Sequence, residues 1–190
     1  EDSGTDLGEA WRESGFDDSS WSIGSAVFSA GDETGGEPQL ESIATLFGTG
    51  VSDSGALLSP GAPDPHWYET ATGDPLLAMA PGVDWVGATS SSQWAGIVAS
   101  GSTDVPPGTY WFSTQFDLSE YDIETVNIAV KLAADDSVRS VTLNGMATGI
   151  TALGPHALQG PYTIDSGWVS STNTLEFLVY NSGTSDNPSG

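Results

Sequence analysis

The stretch "TVNIAVKLAADDSVRSVTLNG", residues 125–145, contains two alternating runs of side chains separated by acidic turn residues. The first run places an apolar side chain at every second position, namely Val126, Ile128, Val130 and Leu132. Because successive side chains of a β-strand point to opposite faces, this pattern is typical of a strand with one buried face and one wet face. The "ADDS" segment, residues 134–137, predicts a hairpin turn, and Asn144-Gly145 predicts a second one.

Similar alternating runs occur on both sides of this stretch, at 109–118 ("TYWFSTQFDL") and 173–181 ("NTLEFLVYN"). Shorter apolar runs in the first half predict further strands at 43–47, 66–71, 75–80, 83–88 and 94–99. The chain contains 24 Gly and 11 Pro residues, which divide it into short pieces, and its apolar residues show almost no helical spacing. Short alternating strands joined by turns predict an all-β protein that folds as an antiparallel sandwich or barrel.

The 190 residues include 26 acidic and 3 basic side chains, which gives a formal net charge of -23. A surface this acidic repels phosphate groups and anionic lipids, so binding of nucleic acid is not expected. The charge also repels itself unless counter-ions gather around it, and high salt or divalent cations outside a cell supply such ions. We therefore expect an extracellular or cell-surface protein.

Several classes of function are disfavoured by what the sequence lacks. No apolar run approaches the ~20 residues of a membrane-spanning helix, so membrane insertion is not expected. The chain has no cysteine, which excludes disulfides and cysteine-ligated zinc. The two histidines, His66 and His156, lie in no nucleophile-elbow pattern, and the sequence contains neither HExxH nor a glycine-rich phosphate loop. The sequence thus predicts that the protein is not an enzyme.

Two segments together resemble a known family: "LGEAWRESGFDDSSW" (7–21) and "STQFDLSEYDIETVNIAVKLAADDSVRSVTLNG" (113–145). They are similar to the galactose-binding-like jelly-roll domains of bacterial exported surface proteins, among them proteins with PEP-CTERM-type sorting signals. The resemblance implies an antiparallel β-sandwich of the jelly-roll kind. It also implies that residues 1–42, with the W…FDDSSW motif, belong to the same sandwich as residues 43–190. After the segment that corresponds to residues 181–190, such domains usually continue into another apolar strand. We therefore expect the main sandwich to lack a closing C-terminal strand.

Two pairs of adjacent aspartates lie in predicted loops: Asp17 and Asp18 in the opening motif, and Asp135 and Asp136 in "ADDS". Aspartates favour turns because their side chains accept hydrogen bonds from nearby backbone amides. The alternative is a structural Ca²⁺ site, since Ca²⁺ takes about 6–8 hard oxygen ligands from loop carboxylates and carbonyls. Galactose-binding-like domains often hold one structural calcium ion, so the resemblance adds weight to this alternative. Arg139, two residues past the second turn, is the predicted partner of that pair.

The chain has seven tryptophans, and several of them lie in predicted loops beside polar residues. Sugar binding uses flat aromatic faces together with a few amide or carboxylate groups. The candidate ligand-binding residues are Asp64, His66, Trp67, Tyr68, Trp85, Gln93 and Trp94. The alternative is that these rings close the ends of the core, because a single aromatic side chain buries enough area to pin a loop.

The sequence therefore supports two hypotheses on function, and both are non-catalytic. The first is a structural subunit or module of a cell-surface or filamentous assembly. Its partners would be copies of itself or other surface-protein domains, one of which would supply the missing strand by β-strand addition. The second is a carbohydrate-binding module that attaches a larger secreted protein to polysaccharide through its loop tryptophans. A structural Ca²⁺ ion is the one cofactor that these hypotheses include.

Overall fold

The structure is a computed structural model that describes residues 42–154 and 156–188. This part of the chain is all-β and contains no helix, as the alternating runs predicted. Its strands are β1 (Pro63–Glu69), β2 (Pro75–Ala78), β3 (Ala95–Gly96), β4 (Asp104–Val105), β5 (Gly108–Asp117), β6 (Ile128–Leu132), β7 (Ser137–Leu143), β8 (Met146–Ala147), β9 (Gln159–Ile164), β10 (Thr172–Asn181) and β11 (Asn187–Pro188). The opening motif with Asp17 and Asp18 lies outside the described residues.

Seven strands form one antiparallel sheet in the order β3-β2-β1-β5-β10-β7-β8. The long strands β5 and β10 lie side by side and pair along their whole length, from Gly108 opposite Asn181 to Asp117 opposite Thr172. In β10 every second side chain is buried, as the alternation predicted. One face of the sheet is therefore apolar and carries the core.

The remaining strands form two small antiparallel sheets, β6 with β9 and β4 with β11. The predicted apolar face of β6 packs against the core through Ile128, Val130 and Leu132, while Ala129 and Lys131 are exposed. The protein is thus an antiparallel β-sandwich with unequal layers. Because β5, β6 and β7 belong alternately to the large and the small sheet, each connection between them crosses from one layer to the other.

The hairpin predicted at "ADDS" is wrong, because β6 pairs with β9 whereas β7 pairs with β10. The chain joins the large sheet at this point, where the Asp136 N–H donates to the Tyr180 carbonyl of β10 at 3.1 Å. The second predicted turn is confirmed. Asn144 and Gly145 connect β7 to β8 and both have positive φ angles, 51° and 77°, as the favoured two-residue hairpin turn requires.

The predictions for the first half had mixed outcomes. Three of the apolar runs overlap strands β1, β2 and β3, namely 66–71, 75–80 and 94–99. The other two runs, 43–47 and 83–88, form turns instead of strands. Asp84, for example, has a φ of 67°, which no strand accommodates. A short apolar run fits a well-packed loop as readily as a strand, and this is why the pattern misled.

The core lies on the apolar face of the seven-stranded sheet and is rich in aromatic side chains. Phe116 is 2% exposed, and Trp168 packs edge-on against it with the ring centroids 6.1 Å apart. A second, smaller cluster consists of Met79, Trp85 and Trp94. No helix in the described part of the chain is long and apolar enough to span a membrane.

Candidate functional site

Asp64 in β1 is fully buried and binds backbone amides on two sides. Its Oδ2 accepts the Gly50 N–H at 2.6 Å, and its Oδ1 accepts the His66 N–H at 2.9 Å and the Trp67 N–H at 3.3 Å. Burial raises the pKa of the Asp64 carboxyl, and these amide hydrogen bonds oppose the shift. The carboxylate therefore fastens the loop around Gly50 to β1.

Gln93 holds the same loop from its other side. Its Nε2 donates to the carbonyls of Gly50 and Leu58, each at 2.7 Å. The backbone carbonyl of Gln93 accepts a hydrogen bond from the Thr49 hydroxyl at 2.6 Å. Gly50 has a φ of 71°, and a Cβ there would collide with the Gln93 side chain, so only glycine fits. The structure thus brings two of the predicted ligand-binding residues, Asp64 and Gln93, together on one loop that they both hold in place.

The three predicted ligand-binding tryptophans are buried: Trp67 is 6% exposed, Trp85 9% and Trp94 7%. Each indole N–H with a described partner fastens a loop. Trp67 Nε1 donates to the Phe47 carbonyl at 3.1 Å, and Trp94 Nε1 donates to the Val86 carbonyl at 2.7 Å. The rings of Trp85 and Trp94 lie 4.2 Å apart. These positions favour the packing alternative, because each of the three side chains is less than 10% exposed.

His66 and Tyr68 are the two neighbours of Trp67 in β1. The His66 ring stacks on Phe47 with the centroids 3.8 Å apart and the planes 6° from parallel, and its Nε2 lies 3.4 Å from Asp53 Oδ1. Tyr68 is 39% exposed, and its hydroxyl donates to the Pro65 carbonyl at 2.7 Å. Among the predicted ligand-binding aromatics, Tyr68 is therefore the one with an exposed ring.

Asp135 and Asp136 lie between β6 and β7, and protein groups engage both carboxylates. Asp135 Oδ1 lies 3.0 Å from His156 Nε2. Burial raises the pKa of the Asp135 carboxyl, and the hydrogen bond from His156 opposes this shift. Asp136 Oδ2 accepts the Ser182 N–H at 2.7 Å. Both carboxylates therefore contribute to the junction between β6, β7 and the end of β10.

Arg139, the partner predicted for these aspartates, makes other contacts. Its Nε donates to the Ser137 Oγ at 3.0 Å, and its guanidinium carbon lies 4.5 Å from the centroid of the Tyr180 ring. Across residues 42–154 and 156–188, no three His, Cys, Asp or Glu side chains converge as a metal site would require. Calcium at Asp135 and Asp136 therefore stays a prediction.

An open apolar space of about 610 Å³ lies between the two layers, and we call it the slot. One wall is β6, together with Leu158 and Pro161 of the segment around β9. The opposite wall consists of two loops, residues 46–49 and 86–94. The floor is the apolar face of the seven-stranded sheet, with the side chains of Trp67, Phe112, Val138, Leu175, Phe177 and Val179.

The loop wall of the slot is the structure that the predicted ligand-binding residues hold. Gln93 positions the loop at Gly50, Trp67 fixes Phe47, and Trp94 fixes Val86. Hydroxyl and amide side chains line this wall above the apolar floor, namely Thr49, Thr89, Ser91, Ser92 and Gln93. Of the seven predicted ligand-binding residues, three line the slot, namely Trp67, Gln93 and Trp94. Asp64 supports the loop at Gly50 without lining the slot.

The β6 wall is the part of the candidate site that sequence reasoning missed. All residues from 128 to 133 border the slot, although their side chains alternate between two faces. The core-facing side chains of β6 are only half-buried, whereas the equivalent ones of β10 are buried. The alternation in the sequence revealed the strand. The alternation could not reveal how few strands pair with β6, because the number of neighbouring strands depends on how distant segments pair.

Comparison with protein-family models gave no match, and searches of curated proteins and of solved structures gave none either. The resemblance to galactose-binding-like domains therefore stays a prediction. The geometry of the slot and the charge of the chain are the properties that bear on function.

Proposed function

We propose that this chain is a non-catalytic structural module of an extracellular cell-surface assembly. The observation that carries the proposal is the slot, where an apolar floor lies open and one edge of β6 has no partner among the strands of residues 42–154 and 156–188. Apolar surface next to an unpaired strand edge is a liability for a protein that stays alone, since both features promote association. In an assembly, a neighbouring surface-protein chain covers them.

The charge of the chain supports an extracellular location. A formal charge of -23 over 190 residues requires many counter-ions, which salt or divalent cations outside a cell supply. Such a charge also keeps the module soluble before it is incorporated, because copies repel one another. The slot and the charge together suit a subunit that stays dispersed until it meets a partner other than itself.

Both histidines of the chain contact other side chains of the fold, which supports a non-catalytic role. His156 contacts Asp135, and its ring stacks 5.7 Å from that of Trp85. His66 stacks on Phe47 below the surface. The alternative of a carbohydrate-binding module draws no support from Trp67, Trp85 or Trp94, whose rings are buried, and would have to use other faces.

Immunogold electron microscopy of the source cells tests the proposal. An antibody raised against the purified chain should label the surface of intact cells, and the label should follow a layer or filament. Antibody that has been pre-absorbed with the chain is the control and should leave the surface unlabelled. Native gel analysis of detached surface material should then place the chain in complexes larger than a monomer. Label confined to the cell interior, or a chain recovered only as a monomer, would overturn the proposal.

A further inference from the structure

We infer that the slot receives one extended β-strand of a neighbouring surface-protein chain, hydrogen-bonded along β6, with apolar side chains at alternate positions and neutral or basic flanks. This inference rests on the proposed function and names the partner that the slot fits. Each of its three parts follows from a separate feature of the slot: the edge of β6, the apolar floor and the charge of the chain.

The first feature is the backbone edge of β6. Side chains of consecutive strand residues point to opposite faces, so a cavity bordered by every residue from 128 to 133 must meet the strand at its edge. β9 pairs with the other edge, from Ile128 opposite Ile164 to Leu132 opposite Gln159. In an antiparallel pair, the groups not directed at the partner strand point outward, and no other described strand pairs with β6. β6 therefore directs N–H and C=O groups toward the slot. Another strand is the partner that satisfies such a row of groups.

The second feature is the floor, which faces the position that an added strand would occupy. A strand lies about 4.8 Å from its neighbour within a sheet, and facing sheets lie about 10 Å apart. An added strand would therefore lie over Phe112, Phe177 and Val179, with every second side chain pointing down onto them. These inward side chains must be apolar, since the floor offers no polar partner of its own. The core-facing side of β6, now half-buried, would be covered at the same time.

The third feature is charge. The chain carries 26 acidic side chains against 3 basic ones, so a strand with acidic flanks would be repelled as it approached. The acidic side chains lie elsewhere on the chain and act over a distance, because Lys131 is the one charged residue among those that line the slot. A segment with neutral or basic flanks has no such barrier. The same argument disfavours an acidic strand from a second copy of this chain.

The test is hydrogen exchange measured by mass spectrometry on the full chain, with and without synthetic peptides. The peptide KTVTVTVK alternates Val and Thr between basic ends, and KVVVTTTK has the same composition without the alternation. We expect the alternating peptide to slow exchange in the fragment that contains β6 by about tenfold or more, because amides in a strand pair are protected. The second peptide, and the acidic-ended ETVTVTVE, should leave exchange in that fragment unchanged.

A matched pair of variants shows whether the peptide enters the slot. Leu158 is 40% exposed and lines the slot, whereas Leu153 is 63% exposed and does not. We expect Leu158→Asp to abolish the protection by the alternating peptide and Leu153→Asp to retain it. Both variants should keep a urea midpoint close to that of wild type, since neither side chain belongs to the buried core.

Three outcomes would overturn the inference. The first is protection by none of the peptides, and the second is equal protection by the alternating and the non-alternating peptide. The third is a β6 fragment that is already protected in the isolated monomeric chain, because the slot would then be filled. If decanoate protects the β6 fragment and no peptide does, the occupant of the slot is a small apolar ligand and not a strand. If these outcomes occur while the immunogold label still follows a surface layer, the proposed function stands and only the occupant of the slot is wrong.

Discussion

Replacing Asp64 by alanine tests whether this buried carboxylate holds the loop wall of the slot. Its oxygens accept three backbone N–H groups, and the bonds from Gly50 and Trp67 are buried. Leaving one buried donor without a partner costs about 1–3 kcal/mol, so two such donors cost about 2–6 kcal/mol. Removing a desolvated carboxylate returns part of this cost. We therefore expect Asp64→Ala to lower the free energy of unfolding by about 3 kcal/mol.

The assay is urea unfolding followed by tryptophan fluorescence, with Asp53→Ala as the matched control. Asp53 also lies near His66, but its side chain is 90% exposed, so its loss should change the free energy of unfolding by less than about 0.5 kcal/mol. Hydrogen exchange should locate the effect of Asp64→Ala at the loop around Gly50. If Asp64→Ala unfolds at the wild-type urea concentration, the carboxylate does not hold the loop, and a ligand-binding role for Asp64 becomes the better interpretation.

Three further variants test other parts of the structure. A Cβ at Gly101 would lie 2.7 Å from the Trp85 ring, so Gly101→Ala should destabilise by about 1–3 kcal/mol in urea, whereas Gly87→Ala, with open space around it, should not. Asn173 is fully buried and hydrogen-bonded through both side-chain atoms, so Asn173→Ala should cost about 2–4 kcal/mol and lower the thermal midpoint; an unchanged midpoint would contradict this. The pKa of Asp135 is raised above 3.8, so the folded chain binds that proton more tightly than the unfolded chain. Wild type should therefore lose stability relative to Asp135→Asn as the pH rises above 3.8, and a constant difference in urea unfolding would refute this.

The strands that could be predicted are those whose signal is local. In β10 the buried residues Leu175, Phe177 and Val179 alternate with more exposed ones, and nothing beyond the segment is needed to recognise this pattern. The turn at Asn144 and Gly145 is equally local, because both residues tolerate the positive φ angles that a two-residue hairpin demands. Strand identity and buried face are therefore properties of a few neighbouring residues.

Which sheet a strand joins could not be predicted, because that depends on partners far along the chain. β6 and β7 are separated by only a short turn, yet β6 pairs with β9 and β7 with β10. A hairpin and a crossover require the same turn chemistry at Asp135 and Asp136. The contact that distinguishes them here is the hydrogen bond from Asp136 to Tyr180, which is 44 positions away in sequence.

The candidate site could be predicted only in part, for a similar reason. A buried Asp and an exposed Asp look identical in sequence. The sequence predicts Asp64 as a ligand-binding residue because it lies among aromatic and polar residues. Its Oδ2 accepts a buried hydrogen bond from Gly50, a residue that the sequence pattern did not connect with it. Gln93 reaches the same glycine from the other side. Of the predicted residues, Trp67, Gln93 and Trp94 line the slot, whereas Asp64 supports a loop beside it.

The slot and the charge of the chain also bear on whether the partner is a second copy. At physiological salt the Debye length is about 8 Å, so two surfaces with a large excess of carboxylates still repel at contact distance. Association between copies would therefore strengthen steeply as salt or divalent cations are added. Capture of a neutral or basic strand would instead persist at low salt, because its main contributions are backbone hydrogen bonds and burial of apolar side chains on Phe177 and its neighbours. The acidity of the chain thus favours a mixed assembly over a homopolymer, and the salt dependence of complex formation separates the two.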